Sequence, residues 1–219
     1  VINNIKNSAS LYIMKTLFTA ILAALCIALP KVFQYPFMTQ HMLLLEMFVI
    51  GVPSFFLSLQ PNNARVEGKF IPHVMSRSVP GAVVMILNVI AMYLVCYYDT
   101  SFSTYQTALC TIALTCSGLV MLYRICQPLN WFRVILFAAM AAVSITVLSV
   151  PVLTNLIMND KNWANATWDY AKILIVVVAI EASFPLSSWL IKIMQIIMPS
   201  STEKKKSHDE KKKEKQRIR

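Results

Sequence analysis

Six apolar runs, each long enough to cross a hydrocarbon layer, set the terms on which this chain can fold. Crossing about 30 Å of hydrocarbon as a helix takes roughly 20 apolar residues. The runs cover residues 11–29, 40–59, 79–98, 104–123, 132–153 and 170–198. Without water in that layer every backbone group must be satisfied within its own segment, so each run is predicted as a helix. The expected fold class is all-α, a polytopic membrane bundle of six transmembrane helices. The last run exceeds the layer thickness, which implies tilt or an amphipathic end beyond it. Charge agrees with this reading: only 14% of the 219 residues are charged, against about a quarter in soluble domains.

The basic residues divide the connections into two sets. Lys6, then Arg65, Lys69 and Arg77, then Arg124 and Arg133, and finally the terminal segment fall on one side. The other side carries Lys31, Lys161 and Lys172 among Asp99, Asp160 and Asp169. Lys and Arg collect on the cytoplasmic face, so both termini are expected there. The net charge of +10 owes much to EKKKSHDEKKKEKQRIR at 203–219, where nine basic residues stand against four acids. That composition cannot build a core, and 199–219 is expected as a disordered polybasic tail. Two readings of it stay open: a solvated positive terminus, or attraction to anionic lipid headgroups. The expected organisation is a cytoplasmic stalk start at 1–10, a six-helix membrane domain at 11–198, and that tail. Nucleic acid is not among the expected partners, and the lipid bilayer is.

Cys26, Cys96, Cys110, Cys116 and Cys126 show no metal-ligand spacing and are read as small core hydrophobes. Asn165-Ala166-Thr167 matches a glycosylation sequon and is read as a chance match. Val1 opens the chain without a signal-peptide pattern, and INNIKNSASLYIMK reads as entered mid-helix, so a longer parent is expected.

Three ionisable residues fall well inside the runs: Lys15, Glu46 and Glu181. Such groups are costly and usually face a protein interior or a water path. Lys15 can snorkel to the cytoplasmic surface or face Glu46. Glu181 can pair with a hydroxyl or stay protonated in the bundle. Glu46 precedes Gly51-Val52-Pro53, which disrupts the helix. Pro53 has no N–H, so the Val49 carbonyl loses its partner, and Gly51 loosens the backbone beside it. A carboxylate beside freed carbonyls is an oxygen-rich site for a cation, at a depth where irregular backbone must line a cavity or be buried in protein. Measured from the run limits, Lys15 and Glu46 stand about 15 Å apart in height at 1.5 Å per residue. Either the first helix starts later than the run limit at Leu11, or Thr19 rather than Lys15 is the neighbour of Glu46.

These residues resemble the fifth and sixth membrane helices of P-type cation-transporting ATPases. The matching features are Asn3-Asn4-Ile5-Lys6, Gly51-Val52-Pro53, Gln60-Pro61 and the basic loop NNARVEGKFIPHVMSRSVPG. The four further runs complete helices five to ten. The resemblance implies an ion site with Glu46 as its metal-binding carboxylate, helped by Thr16, Thr19 and the backbone at Val49, Gly51 and Pro53. Lys15 falls where some members place an internal counter-charge. Ile50 departs from the pattern, because it stands where the family places an aspartate. The chain has no Asp-Lys-Thr-Gly-Thr motif and no nucleotide-binding region, so it cannot hydrolyse ATP alone. The resemblance therefore implies a C-terminal membrane portion of a pump whose missing N-terminal part uses ATP and Mg2+. It would move a cation across a bacterial cytoplasmic membrane, and oxygen ligands without Cys or His point toward calcium rather than a soft metal. The rival is a self-contained six-helix channel or secondary transporter, which should show inverted repeats. No second acid-Gly-x-Pro break appears in runs four to six.

Overall fold

The computed structural model describes residues 2–31, 33–60, 70–98, 100–127, 129–158 and 170–197. Expectations for Arg65, Lys69, Pro61, the sequon, the tail and the Glu181 side chain lie outside what is described. Among the described residues every regular element is helical. Helix α1 is Ile2–Ala28. A second span, Thr39–Leu59, is built from α2 (Thr39–Leu44), a π segment (Leu45–Gly51) and α3 (Val52–Leu59). Then come α4 (Phe70–Tyr98), a 3-10 turn (Thr100–Tyr105), α5 (Gln106–Cys126), α6 (Trp131–Ser149), α7 (Pro151–Met158) and α8 (Tyr170–Ile197). Five helical segments among the described residues are long and apolar enough to cross a membrane. They match the first five expected runs, and α8 is a continuous helix over the sixth.

Two boundaries differ from expectation for physical reasons. Helix α1 begins at Ile2, nine residues before the apolar run, because Asn4, Lys6, Asn7 and Ser10 are buried against other helices instead of facing water. The fifth run is not one helix. It breaks at Val150, whose φ of −92° and ψ of 112° are extended. Pro151 imposes this on the residue before it, and its own missing N–H is harmless at the first position of α7. The Thr154 hydroxyl donates to the Val147 carbonyl at 2.7 Å, capturing one of the carbonyls the ending helix leaves free.

Helix α5 is the most enclosed element, packed by α4, α6, α8 and the π segment. Gly118 on α5 lets the π segment come close: a Cβ there would stand 2.9 Å from Leu45 Cδ1 and 3.0 Å from Val49 Cγ1. The main core joins Leu11, Met14 and Phe18 of α1 to Val49, Met85, Leu114 and Met121. Helix α4 lies along α1 and is tied to it by the Ser78 hydroxyl, which donates to the Ser10 carbonyl at 2.9 Å. Between α4, α5 and α8 sits a small polar node. The Asn88 amide donates to Ser117 Oγ at 2.6 Å and to Ser183 Oγ at 2.7 Å. Small hydroxyl residues and amides hold membrane helices together in this way, because hydrophobic burial supplies no preference between lipid and protein.

Candidate cation-binding site

The expected disruption in the second span takes the form of a π turn, not an unwound gap. The N–H of Val52 reaches back five residues to the carbonyl of Met47, and Gly51 (φ −62°, ψ −65°) and Val52 (φ −60°, ψ −49°) keep right-handed helical dihedrals. Pro53 is the second residue of α3, directly after the π segment. In the wide register the Phe48 carbonyl would look to Pro53, and in the normal register the Val49 carbonyl would. The proline therefore leaves the seam between the two registers short of a donor. Gly51 is required there by space: a Cβ would lie 2.9 Å from the Glu46 carbonyl oxygen of the same turn.

Lys15 reaches Glu46. Its Nζ donates to Glu46 Oε1 at 2.5 Å, with the two side chains 30% and 46% exposed. The mismatch in height disappears because α1 extends nine residues below the apolar run, which puts Lys15 mid-helix. Neither expected alternative holds: α1 starts earlier than its apolar run, not later, and Lys15 rather than Thr19 meets Glu46. Thr19 remains on the same side, one turn above Lys15, with its hydroxyl donating to the Lys15 and Thr16 carbonyls at 3.0 and 3.1 Å. Thr16 is exposed and donates to the Tyr12 carbonyl at 3.0 Å. Both threonines thus spend their hydrogens inside α1 and turn only acceptor lone pairs outward. Val49, Ile50 and Pro53 are buried, and Ile50 is 2% exposed within the apolar core. The structure brings Lys15 and Glu46 together; Thr16 and Thr19 lie within one turn of Lys15 on α1 and bond only within that helix, and the side chains of Val49 and Ile50 are buried in the core. Among the described residues no group of three His, Cys, Asp or Glu side chains converges. The Glu46 carboxylate is met by an ammonium.

The sequence did not reveal a polar seam that continues from this pair down α1. The Ser8 hydroxyl donates to the Ser54 carbonyl at 3.0 Å, and the Asn4 amide donates to the Gln60 carbonyl. Arg77 of α4 donates to Asn7 Oδ1 at 3.2 Å. A signal was present: Asn4, Ser8 and Lys15 recur at spacings that return to one helix face. In a chain otherwise so apolar, that stripe marks a polar interface.

What these features define is an integral helical membrane protein that carries an ion pair within its spans, beside a π turn. Its relatives make the class specific. The chain is 31% identical over 173 residues to the calcium-transporting ATPase CtpE of Mycolicibacterium smegmatis, covering 73% of this chain and 22% of that protein. It is 32% identical over 165 residues to CtpE of Mycobacterium bovis, covering 69% and 20%. It is 28% identical over 145 residues to the probable cation-transporting ATPase exp7 of Streptococcus pneumoniae, covering 62% and 18%. No family model and no solved structure matches the chain. The chain is a homologue of P-type cation-transporting ATPases and spans about a fifth of the length of these relatives.

Proposed function

We propose that the chain is the membrane portion of an ATP-driven cation pump and supplies part of its ion site. Glu46 is the carboxylate ligand, aided by the Thr16 and Thr19 hydroxyl oxygens and by backbone oxygen at Val49, Gly51 and Pro53. Lys15 is the counter-charge that occupies Glu46 when no cation does. The observation that carries this reading is the Lys15–Glu46 pair at 2.5 Å beside the π turn. An ion pair at this depth is expensive unless it serves a path or a site. The π turn adds to its support, since such turns recur at functional sites.

The remainder of the proposal follows from this reading. Both termini face the cytoplasm, with residues 1–10 as the lower end of a stalk and 199–219 as a basic tail available to anionic headgroups. The membrane is a bacterial cytoplasmic membrane. ATP and Mg2+ are used by the remainder of the longer protein, and calcium is the cargo, in keeping with the names of the CtpE relatives. Calcium would take oxygen ligands from the carboxylate, hydroxyls and carbonyls named above. To bind, it must displace the Lys15 ammonium from Glu46.

The test is ATP-driven calcium uptake into vesicles that hold the full-length protein. Glu46→Ala and Glu46→Gln should each abolish uptake at micromolar calcium. Uptake at the wild-type rate and affinity in both would remove Glu46 from the site.

A further inference from the structure

Gln60 ends the π-broken span, and two different helices hold it. Its φ of −65° and ψ of 127° are extended, as expected of a residue that precedes proline. This turns its carbonyl out of α3 toward the Asn4 amide of α1. Its side chain goes the other way: Gln60 Oε1 accepts from Arg133 Nε at 2.8 Å. The same guanidinium donates through Nη1 to the Cys126 carbonyl at 3.3 Å, at the last residue of α5. Arg133 is only 5% exposed.

The placement of this arginine calls for a reason. Arg133 is the third residue of α6, where a cation faces the positive end of the helix dipole and is disfavoured. The end of α5 reverses that sign, since its free carbonyls favour a cation. The arginine is therefore held by what it joins, not by its own helix. Its planar fork can serve Gln60 and Cys126 together, which a lysine point charge cannot do.

Given the reading of Glu46 as a cation ligand, we propose that Arg133 is a positioning residue for the ion site. By fixing Gln60 to the ends of α5 and α6, it sets the height at which Glu46 meets Lys15. The two helices run side by side from the Asn4–Gln60 link to the Lys15–Glu46 link, with the Ser8–Ser54 link between them. Lys15 stands eleven residues along α1 from Asn4, and Glu46 fourteen residues along the broken span from Gln60. The π turns, which hold more residues per turn, take up part of that difference. A span with a wide turn in its middle can change length by trading π for α register, so its lower end needs an anchor if Glu46 is to stay level with Lys15. Arg133 anchors it to helices that do not carry the ion pair.

The experiment uses the full-length protein that carries this chain, in vesicles, with calcium as the probe. Arg133→Gln should raise the calcium concentration for half-maximal uptake about five- to tenfold while changing turnover at saturating calcium less than about twofold. Gln60→Leu, which removes no charge, should give the same rise, and the double variant should be no worse than either alone. Arg133→Lys should recover only a minor part of the loss. Amide exchange over residues 52–60 should quicken in each variant. An unchanged half-maximal concentration in Gln60→Leu, a loss of turnover at unchanged affinity, or additive effects in the double variant overturns the proposal. If Arg133→Gln fails to reach the membrane, the Gln60→Leu result decides. If the wild-type protein moves no calcium, the calcium assignment fails and amide exchange alone judges the anchor: faster exchange at 52–60 in Arg133→Gln retains it, and unchanged exchange ends it.

Discussion

Neutralising one member of the Lys15–Glu46 pair should harm the fold more than neutralising both. Lys15→Met and Glu46→Gln each remove one charge with little change of volume. An exposed ion pair is worth about 0.2–1 kcal/mol, whereas stripping one partner from a buried pair costs about 3–5 kcal/mol. The side chains here are 30% and 46% exposed, which places the pair between these limits. Each single substitution is therefore expected to cost about 1–3 kcal/mol, much of it the penalty for the charge left behind. At about 2–4 °C per kcal/mol for a chain of this length, each should lower the unfolding midpoint by about 2–12 °C. The double variant leaves no stranded charge and should return to within about 3 °C of wild type. The assay is thermal unfolding of the protein in lipid nanodiscs, followed by far-ultraviolet circular dichroism, for the four members of the cycle. A coupling of about 1 kcal/mol or more supports the pair as described. Strict additivity, with coupling below about 0.5 kcal/mol, would refute it and leave two independent groups that snorkel apart. The result does not depend on transport, so it tests the geometry separately from the function built on it.

Two glycines should respond differently to the same added methyl. In Gly51→Ala the new Cβ meets the Glu46 backbone oxygen at 2.9 Å, so the π turn itself must open, at about 2–3 kcal/mol. In Gly118→Ala the obstacles are the ends of the Leu45, Val49 and Met85 side chains, which can turn aside, at about 1 kcal/mol. Chemical unfolding that ranks them in the reverse order would contradict the π geometry. Asn88→Leu removes both amide bonds to Ser117 and Ser183 and should cost about 1–2 kcal/mol. Faster amide exchange at the α5–α8 contact should accompany that loss, and unaltered exchange would mean the node holds nothing.

Helix existence was legible because it depends on apolar length alone, and each of the first five runs holds a span, the fifth of them ending at Ser149. Helix ends were less legible. The run limit at Leu11 marks where apolar residues begin, but α1 continues through Asn4, Lys6 and Asn7 because other helices cover them. Burial by partners distant in sequence leaves no local trace, and that one misplaced end produced the apparent height mismatch between Lys15 and Glu46. The break near Pro53 was legible as a break, since a missing N–H is a property of the residue itself. Its form was not: the π segment packs against Gly118 of α5, a contact far away in the sequence. Pro151 was a missed local signal: a proline following an apolar run should end the helix at the residue before it.

The substitution at position 50 also takes on a different meaning in three dimensions. Residues four apart share a face of an α-helix, so an acid at 46 in place of one at 50 looks like a displacement of one turn along the same face. The π turn rotates one position against the other. Ile50 lies 2% exposed in the core, while Glu46 is exposed and bonded to Lys15. A carboxylate at 50 would enter the apolar core that Leu11, Met14 and Leu114 share with Ile50, where no described side chain of opposite charge joins that cluster. A carboxylate at 46 instead meets α1, the helix that bears Lys15, Thr16 and Thr19. Moving the acid therefore changes which face of α1 it meets, the polar one that bears Lys15 rather than the apolar one that bears Leu11 and Met14. Under the function proposed above, this places both the charge of the site and its counter-charge on the single seam between α1 and the broken span, with Gln60 as the common anchor point at its lower end.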